Sequence, residues 1–292
     1  MAAIGIDIGG TQLRAALYDQ DFRALDRFSA PNEKEIGPRA NLDKLAAFVN
    51  AHREGVGGIG VGCPGPLDIP GGKLINPPNL FGWDGLDVAG YFREATGLDT
   101  RLNNDANLAG LAEAKLGAGR GWESMFYMTV STGIGGAYVY KGELVNGAHS
   151  AAAEIYNLIV NEDPYSHHGV NAGAINEQCG GMALSRIAGE RLGRPMDAPQ
   201  LFQLARAGHP QAQDILDKCA DNLGKALGNI ACVVDPDIFV LGGAIVLRNP
   251  DFLERIGEKA RKYLIHPQWL RLRPASLGEE AGLLGAALWA PK

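Results

Sequence analysis

Two segments of this chain read alike, and that restricts the fold more than any other feature. Ile4, Ile6 and Ile8 alternate with Gly5, Asp7 and Gly9; the turn Gly9-Gly10-Thr11 follows, then a second strand over 13–18. About 120 residues later the pattern returns, with a strand over 125–130, the turn Ser131-Thr132-Gly133-Ile134-Gly135-Gly136 and a partner strand over 137–140. Period-two alternation broken by a glycine turn predicts a hairpin. A hairpin that recurs at long spacing predicts a duplicated α/β unit.

The rest of the chain supplies strands and helices to complete each unit. A third strand is expected over 23–29. Ala40, Leu42, Leu45, Ala46 and Val49 have helical spacing over 40–52. A short buried strand over 58–62 runs into Cys63-Pro64-Gly65-Pro66, a turn sequence. Residues 70–85, rich in Pro, Gly and Asn, predict an ordered loop, followed by a helix over 86–96 and a strand over 99–102. Asn103-Asn104-Asp105 then opens an Ala/Leu-rich helix to about 117. Helices are expected over 180–192, 210–233 and 250–264, a strand over 237–241 ending in Gly242-Gly243, and a last helix over 281–289.

Bulk properties exclude several classes. Glycine makes up 40 of 292 residues, yet no G-X-Y period accompanies it and apolar runs intersperse it, which excludes collagen and argues against disorder. The net charge of −6 and the lack of a Lys/Arg run argue against a nucleic-acid partner. Four dispersed cysteines suit a reducing compartment rather than a disulfide framework or a zinc ribbon. No apolar run reaches the ~18 residues of a membrane span, and the start lacks a basic leader. A cytoplasmic protein without a membrane partner is expected.

Three glycine turns can meet a nucleotide. Gly9, Gly10 and Thr11 offer open amides and a hydroxyl to phosphate. Asp7 ends a buried strand, where a carboxylate is costly unless used; holding magnesium through water would use it. Thr132 and Gly133 repeat the phosphate chemistry in the second hairpin. Gly242 and Gly243 suit the flat face of a base. An ordinary turn explains each of these alone. Asp105 follows a strand and heads a helix, so it is either the N-cap or a base that aligns a hydroxyl in phosphoryl transfer, and the two roles are compatible.

The ordered set Asp7-Ile-Gly-Gly-Thr11, Gly62-Cys-Pro-Gly65, Asn79-Leu-Phe-Gly-Trp83, Asn104-Asp105, Ser131-Thr-Gly133, Glu154 and Leu241-Gly-Gly243 resembles the ROK family (repressor, open reading frame, kinase) over nearly the whole chain. The resemblance implies an α/β fold of two ribonuclease H-like domains, as in hexokinases and actin, around a central cleft. The expected domains are 1–107, with the helix over 280–292 packing back on it, and 108–279. ATP would lie against the larger domain and sugar between the lobes. Asp105 would be the catalytic base, with Gly65, Asn79, Asn104 and Glu154 contacting sugar hydroxyls.

The chain also departs from the family. The family's Glu-x-Gly-His reads Glu154-Ile-Tyr-Asn157, so Asn157 replaces a histidine that binds zinc and sugar. The cysteines of the zinc segment fall on His167, Gly169 and Ala174, and its closing glutamate on Asn176, with Glu177 beside it. No structural zinc is expected; packing of Tyr156, Pro164, Tyr165 and Ile175 would stiffen the loop instead. Asn157 and Asn176 can each donate and accept, so they remain candidate sugar ligands with altered specificity. His167-His168 reads as a loop pair, Cys179 and Cys232 as core thiols, and Trp83 and Trp122 as packing residues.

The expectation is an ATP- and magnesium-dependent hexose kinase, with glucose foremost and the primary hydroxyl as acceptor. Alternatives are a non-catalytic sugar- or nucleotide-binding protein, or a sugar-responsive regulator, for which no segment precedes the first strand. The resemblance suggests a homodimer.

Overall fold

The fold is described from a computed structural model, which covers residues 1–167 and 169–291. Strands β1 (Ala2–Ile8), β2 (Gln12–Tyr18), β3 (Ala24–Pro31) and β4 (Val56–Cys63) enter the first sheet. Two short strands, β5 (Leu67–Asp68) and β6 (Lys73–Leu74), form a ribbon inside the expected loop, and β7 (Thr100–Asn104) completes the sheet in the order β3-β2-β1-β4-β7. The second sheet contains β8 (Ser124–Val130), β9 (Ile134–Tyr140), β10 (Glu143–Leu144), β11 (Ile238–Gly242) and β12 (Leu272–Pro274), in the order β10-β9-β8-β11-β12. The orders correspond strand for strand. In each, a hairpin pairs antiparallel (β1–β2, β8–β9) and the later strands run parallel to its first strand. Strand β4 is buried almost throughout, as expected of a parallel strand covered on both faces.

By packing, the chain divides into two compact units. The first comprises Met1–Leu116, Glu143–Ala152 and the segment from Glu279 onward; the second comprises Gly117–Gly142 and Ala153–Gly278. Helices α1 (Gly37–His52), α2 (Val88–Thr96) and α3 (Asp105–Leu116) belong to the first. Helix α3 thus lies whole in that unit instead of being divided after residue 107. In the second unit are α4 (Ile175–Cys179), α5 (Gly181–Leu192), α6 (Ala198–Arg206), α7 (Pro210–Val234), α8 (Ala244–Leu247) and α9 (Pro250–Ala260).

The last helix, α10 (Ala281–Trp289), packs against α3, β1 and β4. It is apolar on nearly every side, as a buried helix must be. Its close approach depends on missing side chains: a Cβ on Gly5, Gly60 or Gly285 would overlap the carbonyl oxygen of Leu283, Ala286 or Leu108 respectively.

Some expectations needed correction. Helix α4, helix α6 and strands β10 and β12 were not foreseen. Helix α9 stops at Ala260 rather than 264, and β7 extends through Asn103 and Asn104. Cys232 is exposed, whereas Cys63, Cys179 and Cys219 are buried. In α7 the positions around Cys232 and Val233 lie on the helix's outer face, and Val233 is 82% exposed.

Candidate active site

The parallel strands of the first unit end at one edge. Register places Asp7 beside Gly62, Gly62 beside Asn103, and Cys63 beside Asn104. The chain therefore leaves β1, β4 and β7 at this edge into Gly9–Thr11, Pro64–Pro66 and α3. Carboxyl ends of parallel strands are where α/β sheets bind ligands. Asp7 lies opposite Arg14 on β2, which donates to its Oδ2 through Nε (3.0 Å) and Nη2 and to the Glu279 carbonyl through Nη1 (3.3 Å). This ion pair compensates the partly buried carboxylate, and no hydrogen bond among the described residues uses its Oδ1.

The first turn is braced by Asn32, which sequence reasoning did not identify. Its Nδ2 donates to the Gly9 carbonyl (2.8 Å) and its backbone N–H to that of Thr11 (2.9 Å), while Gly9 N–H donates to Gln12 (2.8 Å). No hydrogen bond of the described residues uses the amides of Gly10 and Thr11. A Cβ on Gly10 would stand 2.9 Å from the Asn79 carbonyl oxygen, so the segment carrying Asn79 packs directly on this turn. The Asn79 side chain is exposed. Gly65 precedes Pro66 through a cis peptide bond, and the Pro66 carbonyl accepts from Ile75 N–H (2.9 Å).

Asn104, not Asp105, provides the cap of α3. Its Oδ1 accepts from the amides of Ala106 (2.9 Å) and Asn107 (3.3 Å), the N2 and N3 positions. Asp105 stands at the first helical position, where its Oδ1 accepts from Ala106 N–H (2.8 Å). Asn103 and Asn107, both buried, lock this junction. Asn103 Oδ1 accepts from Asn104 N–H (2.8 Å) and Asn107 Nδ2 (2.9 Å), and its own Nδ2 donates to Asn146 Oδ1 (3.1 Å). Asn103 and Asn107 were legible only as two asparagines four apart across a helix start. Asp105 keeps an accessible side chain, yet desolvation, reinforced by the charge of Asp7, raises its pKa to about 6 against the opposing pull of the Ala106 amide. Burial pushes the nearby Cys63 thiol well up, so it stays protonated and unreactive.

The second unit repeats the turn with its own asparagine brace. Ser131 N–H donates to Gly133 (2.9 Å), and Ile134 N–H donates to Asn176 Oδ1 (3.0 Å). The Ser131 and Thr132 carbonyls accept from Gly181 (2.8 Å) and Met182 (3.1 Å) at the start of α5. The amides of Thr132 and Gly133 are again used by no hydrogen bond of the described residues. A Cβ on Gly133 would lie 2.8 Å from Asn176 Oδ1, so a side chain there would displace the asparagine that braces the turn. Gly242 and Gly243 have packing reasons of their own: a Cβ would meet the Tyr127 hydroxyl at 2.5 Å and overlap the Val130 backbone respectively, and Gly243 has φ 85°.

The two asparagines expected at the sugar spend their acceptors inside the protein. Asn157 Oδ1 accepts from Asn171 N–H (2.7 Å). Asn176 gives its Oδ1 to Ile134 and its Nδ2 to Glu177 Oε1 (3.0 Å). Glu154, half-buried, precedes the 3-10 turn Ile155–Asn157. Of the residues expected to stiffen the following loop, Ile175 is fully buried and Tyr165 lies beneath the Arg186 guanidinium at 3.6 Å, whereas Pro164 is exposed. His167 is exposed and stacks on Tyr165; His168 lies outside the described residues. Among the described residues no group of three or more His, Cys, Asp or Glu is placed to hold a metal ion. Trp83 is buried and Trp122 lies under Arg271, so both pack.

Two sheets of one strand order, each with a braced turn presenting two consecutive unspent amides, and an aspartate heading a helix define a duplicated ribonuclease H-like fold equipped for phosphoryl transfer. The chain belongs to the ROK family, whose model matches residues 3–292. It is similar to a ROK hexokinase from Thermus thermophilus (37% identity, TM-score 0.92, covering 99% of this chain and 98% of that one). A ROK glucokinase from Streptomyces griseus, solved with glucose and AMPPNP, matches at 28% identity and TM-score 0.82 over 99% of both chains. N-acetylmannosamine kinase of Yersinia pseudotuberculosis is 30% identical over 98% of this chain and 97% of its own.

Proposed function

We propose that this ROK-family sugar kinase transfers the γ-phosphoryl group of ATP to the primary hydroxyl of a hexose, with glucose as the preferred acceptor. The observation that carries the reading is Asp105. It is fixed at the head of α3 by the Asn103–Asn104–Asn107 lock, and one of its carboxylate oxygens makes no hydrogen bond among the described residues. Its pKa of about 6 leaves it ionised at neutral pH and basic enough to take a proton late in the transfer. Asp105 orients the sugar hydroxyl and receives its proton.

Gly65, Asn79, Asn104, Glu154, the free amide of Asn157 and the remaining Nδ2 hydrogen of Asn176 hold the sugar; Asn176 also braces the turn through Ile134. The amides of Gly10, Thr11, Thr132 and Gly133 and the two threonine hydroxyls hold phosphates, with Gly9 shaping the first turn. Gly242 and Gly243 lie along the nucleotide. Asp7 fits magnesium held through water, because Arg14 fixes Oδ2 and leaves Oδ1 to accept. The ion, when bound, neutralises charge on the phosphates. The chain works as a cytoplasmic homodimer.

Coupled ADP release over glucose, mannose, fructose, N-acetylglucosamine and N-acetylmannosamine tests the substrate. Glucose is expected to give the highest kcat/KM. An N-acetylated hexosamine ahead of glucose would refute that preference and favour the reading suggested by the Yersinia relative. Undiminished turnover in Asp105→Ala would remove the assigned base.

A further inference from the structure

The segment between the 3-10 turn Ile155–Asn157 and α4 has little secondary structure. Among the described residues its only ladder contact is the bridge between Ile159 and Ala174, supported by Val160 N–H to Gly173 (2.9 Å) and Ile175 N–H to Leu158 (2.8 Å). Such a loop is held by side chains or left mobile. Here side chains tie it to two helices: Asn161 bonds Gln178 on α4, and Arg186 reaches it from α5. The Arg186 guanidinium carbon, on α5, stands 3.6 Å from the centre of the Tyr165 ring, inside the usual range for a cation over an aromatic face. Its Nη2 donates to the Glu177 carbonyl on α4 (2.8 Å), and its Nη1 reaches both Glu190 oxygens at 3.3 Å.

The contacts beyond Arg186 lead to both functional segments of this unit. Glu177 accepts from Asn176, and Asn176 holds the Ile134 amide at the end of the phosphate turn. On the loop side, Tyr165 N–H donates to Asp163 (2.9 Å) and Asp163 N–H to Asn161 (3.1 Å); Asn161 in turn donates to Gln178 on α4 (2.9 Å). Further along, Asn171 N–H fixes Asn157. We propose that Arg186 and Tyr165 form a metal-free clamp that positions the sugar-binding segment Glu154–Asn157 through this loop, Arg186 being a positioning residue for sugar binding. This assignment rests on the sugar-kinase reading only for its ligand; the clamp itself is a statement about the loop.

Four single variants test it: Tyr165→Phe, Tyr165→Ala, Arg186→Lys and Arg186→Met. Tyr165→Phe keeps the ring and should behave as wild type. Tyr165→Ala loses the ring. Arg186→Lys loses the planar fork and Arg186→Met the charge as well. In these three, amide exchange over 158–174 should quicken at least tenfold. Sugar KM should rise about tenfold, kcat and ATP KM should stay within about twofold, and exchange in β8 and β11 should be unchanged. Exchange over 158–174 at the wild-type rate in Tyr165→Ala and Arg186→Met would overturn the clamp. Equal rises in sugar and ATP KM, or a Tyr165→Phe as impaired as Tyr165→Ala, would overturn the positioning role. Wild-type protein inactive on every sugar would sink the kinase reading, while the exchange measurement would still decide the clamp.

Discussion

Asp105 combines two requirements that usually conflict. A carboxylate at a helix N-terminus is stabilised in its ionised form, yet desolvation and the Asp7 charge raise its pKa to about 6. The raised pKa means that the folded state binds a proton more tightly than the unfolded chain between the ordinary carboxylate value and about 6. Stability contributed by this group is therefore present at low pH, falls as pH rises through that window, and is lost above it. Asp105→Asn keeps an oxygen for the Ala106 amide and removes the penalty. Its melting temperature at pH 8 should be equal to or above wild type, while kcat falls ~10²–10⁴-fold. A melting temperature several degrees lower would show that the carboxylate is structural. In the wild type, kcat/KM for sugar should fall about tenfold per pH unit below about 6, as the base becomes protonated; a profile flat down to pH 5 would contradict the assignment. At this scale Asp105 was legible because a strand, a polar turn and a helix start coincide in sequence. Its lock was not, because Asn146 reaches Asn103 from a distant part of the chain.

At the scale of elements, caps and close contacts decide what each residue does. Asn104 is both the α3 cap and a candidate sugar contact. Asn104→Asp retains the capping oxygen, so it should cost little stability but raise sugar KM, since it cannot donate. Asn104→Ala should lose about 1 kcal/mol as well, read from urea midpoints. If both variants leave sugar KM unchanged, Asn104 only caps. Helix α10 gives a second test. Gly285→Ala places a methyl into the Leu108 carbonyl, and such overpacking costs ~1–3 kcal/mol. Gly189→Ala, in α5, meets nothing closer than 3.6 Å, so it should gain up to about 1 kcal/mol from helix propensity. Equal effects of the two would mean that α10 does not dock as closely as described. Periodicity found most of the longer elements, but strands β10 and β12, of two and three residues, carry too few positions to show a period. Helix α6 begins at a capping box of Asp197 and Gln200 with Pro199 in its first turn, a readable start signal on a segment whose apolar stripe is short.

Across the whole molecule, the repeated hairpin foretold the duplication, and the matching strand orders of the two sheets show how far it extends. Much of the glycine excess has a physical use that composition could not assign: some lies in the two braced turns proposed to hold phosphate, but Gly5, Gly60, Gly242 and Gly285 serve close packing, which depends on distant partners. The same scale governs how the chain meets an anionic substrate. Its net charge is −6, and neither Gly9-Gly10-Thr11 nor Ser131-Thr132-Gly133 contains a basic residue. Arg14, near the first turn, is already committed to Asp7. On the proposed function, phosphate capture would rely on short-range amide dipoles, while the net negative charge would repel a nucleotide at long range. Salt screens the long-range term over a Debye length of ~10 Å at 0.1 M but barely touches contacts at hydrogen-bond distance. Raising salt from ~20 to ~200 mM should increase kcat/KM for ATP about two- to threefold and leave that for the uncharged sugar unchanged. A steep fall for ATP would mean that lysine or arginine side chains, not the paired turns, capture the phosphates, and Thr11→Val and Thr132→Val would then leave ATP KM at its wild-type value instead of raising it.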